Sequence, residues 1–223
     1  MARVERVPIL YYTPTAELKM QMYIELCKIE LSGLGLIYPY GDDFLLTDVL
    51  MLEQTNNPAH TDFQEAAAKF LMELIKADVD PEPFRFWWHS HVNFGTGWSG
   101  EDMETINTFN NPLQFSMVRN KRGDIRLRLD VFRPLRLAFE EIEYRPLTDP
   151  ADPTVQAVRK DILNKVNVGG TIARLLGGGA KEVLEEEYVK VPSGVINVEE
   201  LVAKIIAANQ PPSELKEKKK GDK

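Results

Sequence analysis

The chain has 223 residues and a mass of 25.4 kDa, enough for one domain of ordinary size plus an appendage; 43% hydrophobic and 27% charged residues describe a soluble globular protein. A net charge of −7 and a pI near 5.2 argue against nucleic acid as the main partner, and no apolar run is long enough for a membrane span. A single cysteine, Cys27, excludes an internal disulfide, and the start of the chain lacks a signal-peptide core, so a reducing cytoplasm is expected.

Residues 7–12 read as a first strand. Thr13 and Pro14 give an N-cap followed by proline at the first helical position, and Leu18, Met22, Ile24, Leu26 and Ile29 carry a helix over 16–29. Apolar strands over 31–38 and 44–53 flank a turn at 39–43. A short loop over 53–61 precedes a helix over 61–77, with Phe63, Ala67, Phe70, Leu71 and Leu74 on one side. Phe84, Arg85, Phe86, Trp87 and Trp88 then form an aromatic stretch that reads as a buried strand. A short helix over 99–109 and a hairpin of strands 113–118 and 125–132 follow, and a further strand covers 139–144. Ile125, Leu127, Leu129 and Val131 alternate with Arg126, Arg128 and Asp130, as on a half-buried strand. The fold class is therefore α/β: a mixed central sheet with helices on its faces.

Three prolines and two aspartates between 146 and 153 mark a break in composition. We expect a catalytic-type domain over 1–147, a helical C-terminal extension over 148–209 with helices at 154–166 and 197–208, and a lysine-bearing disordered tail over 210–223. The glycines at 169–179 read as a flexible joint; Arg174-Leu175-Leu176-Gly177-Gly178 has only a faint likeness to a processed Gly-Gly tail.

The most informative segment is His89-Ser90-His91, followed by Ser99 and Asp102. On a strand, residues two apart share a face, so His89 and His91 present two imidazoles side by side and Ser90 points away. Ser99 and Asp102 have the spacing of a helix-capping box, and the turn before them brings Asp102 back over the imidazoles. Two neutral nitrogens, one carboxylate and a fourth position for water make a catalytic zinc site rather than a closed structural one. Two of the chain's three histidines sit in this block; the third, His60, reads as a surface residue rather than a fourth ligand.

The pattern His-x-His-x7-Ser-x2-Asp resembles the motif of the JAMM (MPN or JAB) zinc metalloproteases, in a prokaryotic or viral form. In that family a Glu lies upstream, at the end of the first helix and before a Gly-rich strand; the matching segment is Glu30-Leu31-Ser32-Gly33-Leu34-Gly35-Leu36-Ile37. The resemblance covers about residues 5–145 and implies an MPN/JAB-like, cytidine-deaminase-like fold. It implies that His89, His91 and Asp102 hold Zn2+, that Glu30 is the general base, and that Ser99 stabilises the oxyanion. Without it, Glu30 is a solvated charge at a helix end and Ser99 a cap. The activity implied is hydrolysis of a peptide or isopeptide bond, processing a ubiquitin-like modifier or another protein with an extended, Gly-Gly-type tail. The alternative is a non-catalytic scaffold of the same fold. Val92 and Trp98 stand where the family frequently has proline; Trp98 reads as an anchor for the loop rather than a substrate-facing wall.

Overall fold

Thr13 starts the first helix as its neighbours require: its Oγ1 accepts from the Ala16 N–H at 3.2 Å and Pro14 occupies the first turn. The structure, a computed structural model, describes residues 6–54, 56–57, 60–61, 63–109, 111–148 and 153–165. In chain order these form β1 (Leu10–Tyr12), α1 (Pro14–Leu26), β2 (Ser32–Tyr40), β3 (Asp43–Met51), β4 (Asn56–Asn57) and β5 (His60–Thr61). Next come α2 (Phe63–Lys76), β6 (Phe86–Ser90), α3 (Gly100–Thr108), β7 (Leu113–Arg119), β8 (Ile125–Val131), β9 (Leu137–Glu140), β10 (Tyr144–Pro146) and α4 (Pro153–Lys165). Among the described residues no helix is long and apolar enough to cross a membrane.

Eight strands make one mixed sheet in the order β10-β1-β3-β2-β6-β7-β8-β9, which bears out the α/β class. The β1–β3, β1–β10 and β6–β7 pairs are parallel, and the others antiparallel. A flat sheet of eight strands would hold its edges roughly 34 Å apart. Here β9 and β10 form the two edges, yet only residues 141–143 separate them in sequence, a reach of at most about 14 Å. The sheet must therefore curl until its edges approach. This corrects the single strand expected over 139–144: Glu141 takes a left-handed φ of 62°, which ends β9. The chain then crosses between the edges, Ile142 N–H donating to Leu127 O at 3.3 Å and Leu10 N–H to Glu143 O at 2.9 Å.

Alternation along β6 divides the core between the two faces of the sheet. Phe86 and Trp88 join Met20 and Ile24 of α1, while Trp87 joins Phe63 and Leu74 of α2 and Ile106 of α3. Beside β6, Gly33 and Gly35 of β2 leave room for the larger rings. A Cβ on Gly33 would stand 2.2 Å from Leu50 O and 2.7 Å from the Trp88 ring, and one on Gly35 2.7 Å from the Phe86 ring. The small-then-apolar run after Glu30 is thus what lets two aromatic side chains pack flat against β2.

Several boundaries move. α1 ends at Leu26 rather than 29, because Cys27 is already extended (ψ 142°), so Glu30 lies in the link before β2 and not at a helix end. The first strand is shorter than expected, starting at Leu10, and the loop over 53–61 contains the small β4–β5 pair. α4 matches the helix expected over 154–166. The helix over 197–208, the glycines at 169–179 and the tail over 210–223 lie outside the described residues.

Candidate metal centre

His89 is the next-to-last residue of β6, so ladder bonds on both sides fix its backbone: it pairs with Ser32 on β2 and Val118 on β7. Its ring stacks on Trp87, centroids 4.6 Å apart and planes 21° apart, and lies 6.0 Å from the Trp98 ring. Trp87 is itself held by donation from Nε1 to Ser32 Oγ at 2.7 Å. Trp98 packs against the α2–α3 side of the core, as an anchor for the loop would. Ser90 points away from the imidazoles, as alternation requires, and its Oγ accepts from Leu31 N–H at 3.0 Å. The Ser90 N–H also donates to Leu31 O at 2.8 Å. Glu30, exposed in the link before β2, lies close enough for its charge to act on His91.

His91 lies just past the strand. Its Nδ1 is 2.6 Å from the Gly95 carbonyl oxygen, which can only accept, so Nδ1 donates there, and in the neutral ring Nε2 carries the lone pair that a metal needs. That Nε2 faces His89 Nε2 at 3.0 Å. The carboxylate arrives from α3. Ser99 caps the helix, its Oγ accepting from Asp102 N–H at 3.0 Å while Asp102 Oδ2 accepts from Ser99 N–H at 2.7 Å, the expected capping box. The reciprocal bonds aim the carboxylate at the imidazoles: Oδ1 is 3.1 Å from His89 Nε2 and Oδ2 3.8 Å from His91 Nε2.

Two donors from the end of β6 and one from α3 therefore converge within 4.8 Å of one another. Two ligands of a tetrahedral zinc, each 2.0–2.1 Å from it, lie about 3.3 Å apart; the two imidazole nitrogens are 3.0 Å apart, one carboxylate oxygen is 3.1 Å from His89 Nε2 and the other is 3.8 Å from His91 Nε2. The group can hold a metal ion. Its electrostatics agree. Burial alone would raise the Asp102 carboxyl, but its bonds to His89 and His91, the charge of His89 and the Ser99 N–H outweigh this and hold it far below the usual carboxylate range. The folded state thus favours the charged form of Asp102. The Asp102 carboxylate in turn raises His91; burial opposes the shift, and the Gly95 carbonyl and the charge of Glu30 add to it. Negative charge gathered around two imidazoles attracts a proton or a cation.

The fold thus brings together His89, His91, Asp102 and Ser99 and sets Glu30 beside His91. His60 falls in β5, and its side chain lies outside the described residues. Sequence reasoning missed Gly95, which acts through its carbonyl and leaves no trace in side-chain identity. It also missed the stacking of Trp87 on His89, although the shared parity of the two residues pointed to it.

No family model matches this sequence. Over 95 residues, 41% of the chain, it is 32% identical to "COP9 signalosome complex subunit 5" of Gibberella zeae, and it spans only 28% of the length of that relative. Among solved structures it is similar to the solution structure of protein DSY2949 from Desulfitobacterium hafniense. That similarity has a TM-score of 0.44 and 17% identity, over 62% of this chain and 92% of the other.

Proposed function

We propose that this chain is a zinc metallopeptidase of the JAMM (MPN) type that hydrolyses a peptide or isopeptide bond. The observation that carries the reading is the convergence of His89 Nε2, His91 Nε2 and the Asp102 carboxylate within 4.8 Å, with Glu30 beside them. The 32% identity to the COP9 signalosome subunit, a JAMM/MPN protein, supports the family. So do the spacing of the motif and the position of Glu30 ahead of a Gly-bearing strand.

In this reading His89, His91 and Asp102 hold the ion, and zinc there supplies Lewis acidity that polarises a carbonyl and acidifies a water. Glu30, exposed and near His91, would accept a proton from the attacking water as its oxygen bonds to the carbonyl carbon, and would return it to the leaving nitrogen as the C–N bond breaks. Ser99 Oγ spends one lone pair on the Asp102 N–H, which leaves its O–H to donate to the substrate carbonyl oxygen as negative charge develops. Trp87 stacks on the His89 ring, and Trp98 lies beside it. The reading extends to a protein substrate with an extended tail of Gly-Gly type, to the helical extension as a separate unit, and to a cytoplasmic setting.

The test is turnover of tail-fused protein substrates by wild type beside Glu30→Gln. The reading expects cleavage by the zinc-loaded wild type and a metal-bearing but inactive variant. Equal turnover by the variant would remove Glu30 from its role, and a wild type that binds no zinc would move the scaffold reading to the front.

A further inference from the structure

His91 is the ligand that the sheet does not hold. Only its N–H, donated to Arg119 O at 2.9 Å, continues the pairing of β6 with β7. Beyond it the chain turns sharply. Val92 has φ 44°, Phe94 N–H donates back to His91 O at 2.7 Å, and Gly95 O meets His91 Nδ1. The turn between β7 and β8 keeps this loop in place. Asn120 there is 1% exposed, and its Nδ2 donates to Phe94 O at 2.8 Å and to Asp124 Oδ2 at 2.8 Å. Its Oδ1 accepts from the N–H groups of Arg122 and Asp124, each at 3.0 Å. Lys121 N–H adds a bond to Val92 O at 2.8 Å, and Arg122 Nη2 approaches Phe94 O at 3.5 Å.

A carboxamide has two donor hydrogens and two acceptor lone pairs, and Asn120 uses all four. The amide has one orientation, since a flip would set its nitrogen against two N–H groups and its oxygen against two oxygens. We infer that Asn120 is a positioning residue for the metal centre. It pins the Phe94 carbonyl, the pinned turn presents Gly95 O to His91 Nδ1, and that bond aims His91 Nε2 at His89 and Asp102. The inference rests on the metal-binding reading above. A residue that merely stabilises the β7–β8 turn would satisfy Arg122 and Asp124 without any need to reach Phe94.

Two variants separate these roles. Asn120→Asp keeps the oxygen that serves the turn but sets a second oxygen against Phe94 O and Asp124. Adding Asp124→Asn supplies an amide donor to that second oxygen and so repairs the turn, while Phe94 O still faces an acceptor. Zinc affinity is measured by competition with a chromophoric chelator, and thermal unfolding of the metal-free proteins is measured beside it. The double variant is expected to unfold near the wild-type temperature yet bind zinc roughly 10–100-fold more weakly, as is Asn120→Asp. Wild-type zinc affinity in the double variant overturns the inference. Failure of both variants to fold also overturns it, because Asn120 would then serve folding and not the ligand. A wild type that takes up no zinc is a different result: it removes the metal reading itself, and the role of Asn120 with it.

Discussion

The two histidines of the site are held by opposite means. His89 is part of the sheet, paired on both sides and stacked on Trp87. His91 stands on a loop and takes its orientation from one carbonyl, that of Gly95. Sheet pairing fixes a side chain through many bonds that share any disturbance, whereas a loop fixes it through a few that do not. The strand half should therefore fail with the fold, and the loop half should fail while the fold survives.

Substitutions can break this comparison or sharpen it. The largest effect is expected from Glu30→Gln, which leaves the ligands and both supports intact. The rate on a cleavable substrate should fall roughly 10²–10⁴-fold with zinc content unchanged, read from turnover beside metal analysis. Asp102→Asn removes the one anionic ligand but keeps an oxygen for the Ser99 N–H, so α3 stays capped. Zinc affinity should drop about a hundredfold or more, and at neutral pH the metal-free variant should melt below the wild type, because the folded state stabilises the ionised Asp102 carboxylate; calorimetry reads both. Gly33→Ala attacks the strand half: a Cβ 2.2 Å from Leu50 O must push β2 off β3 or off Trp88. The expected cost is about 1–3 kcal/mol, with metal binding lost only as the protein unfolds; a folded variant without metal affinity would contradict the division. The smallest effect is at Val92, a β-branched residue at φ 44°. Val92→Asn should stabilise by about 1 kcal/mol in chemical denaturation, since Asn tolerates that conformation. Val92→Pro cannot adopt it and should lower zinc affinity while the sheet remains.

The strand half was also the legible half. Period-two alternation put His89 and His91 on one side of the chain and Ser90 on the other. The Ser99–Asp102 spacing announced the capping box that delivers the carboxylate. Thr13-Pro14 marked the start of α1, and the hydrophobic periodicity of α2 located it to within a residue or two at each end. Less was visible where backbone atoms or long-range closure decide. Glu141 carries no mark of its left-handed φ, so β9 and β10 looked like one strand and the curl of the sheet went unread. The helical stripe that included Ile29 hid the end of α1 at Leu26, because an apolar residue exposed beyond a helix scores the same as one within it. Gly95 acts on His91 through its carbonyl, which leaves no mark in side-chain identity, and Asn120 acts through an amide whose partner Phe94 is distant in sequence.

The most direct measurement is the zinc content of the chain purified without chelators, wild type beside the double variant His89→Ala/His91→Ala. The account predicts about one zinc per wild-type chain, the stoichiometry of one three-ligand site, and none in the variant. Zinc absent from both, or retained by the variant, would contradict it.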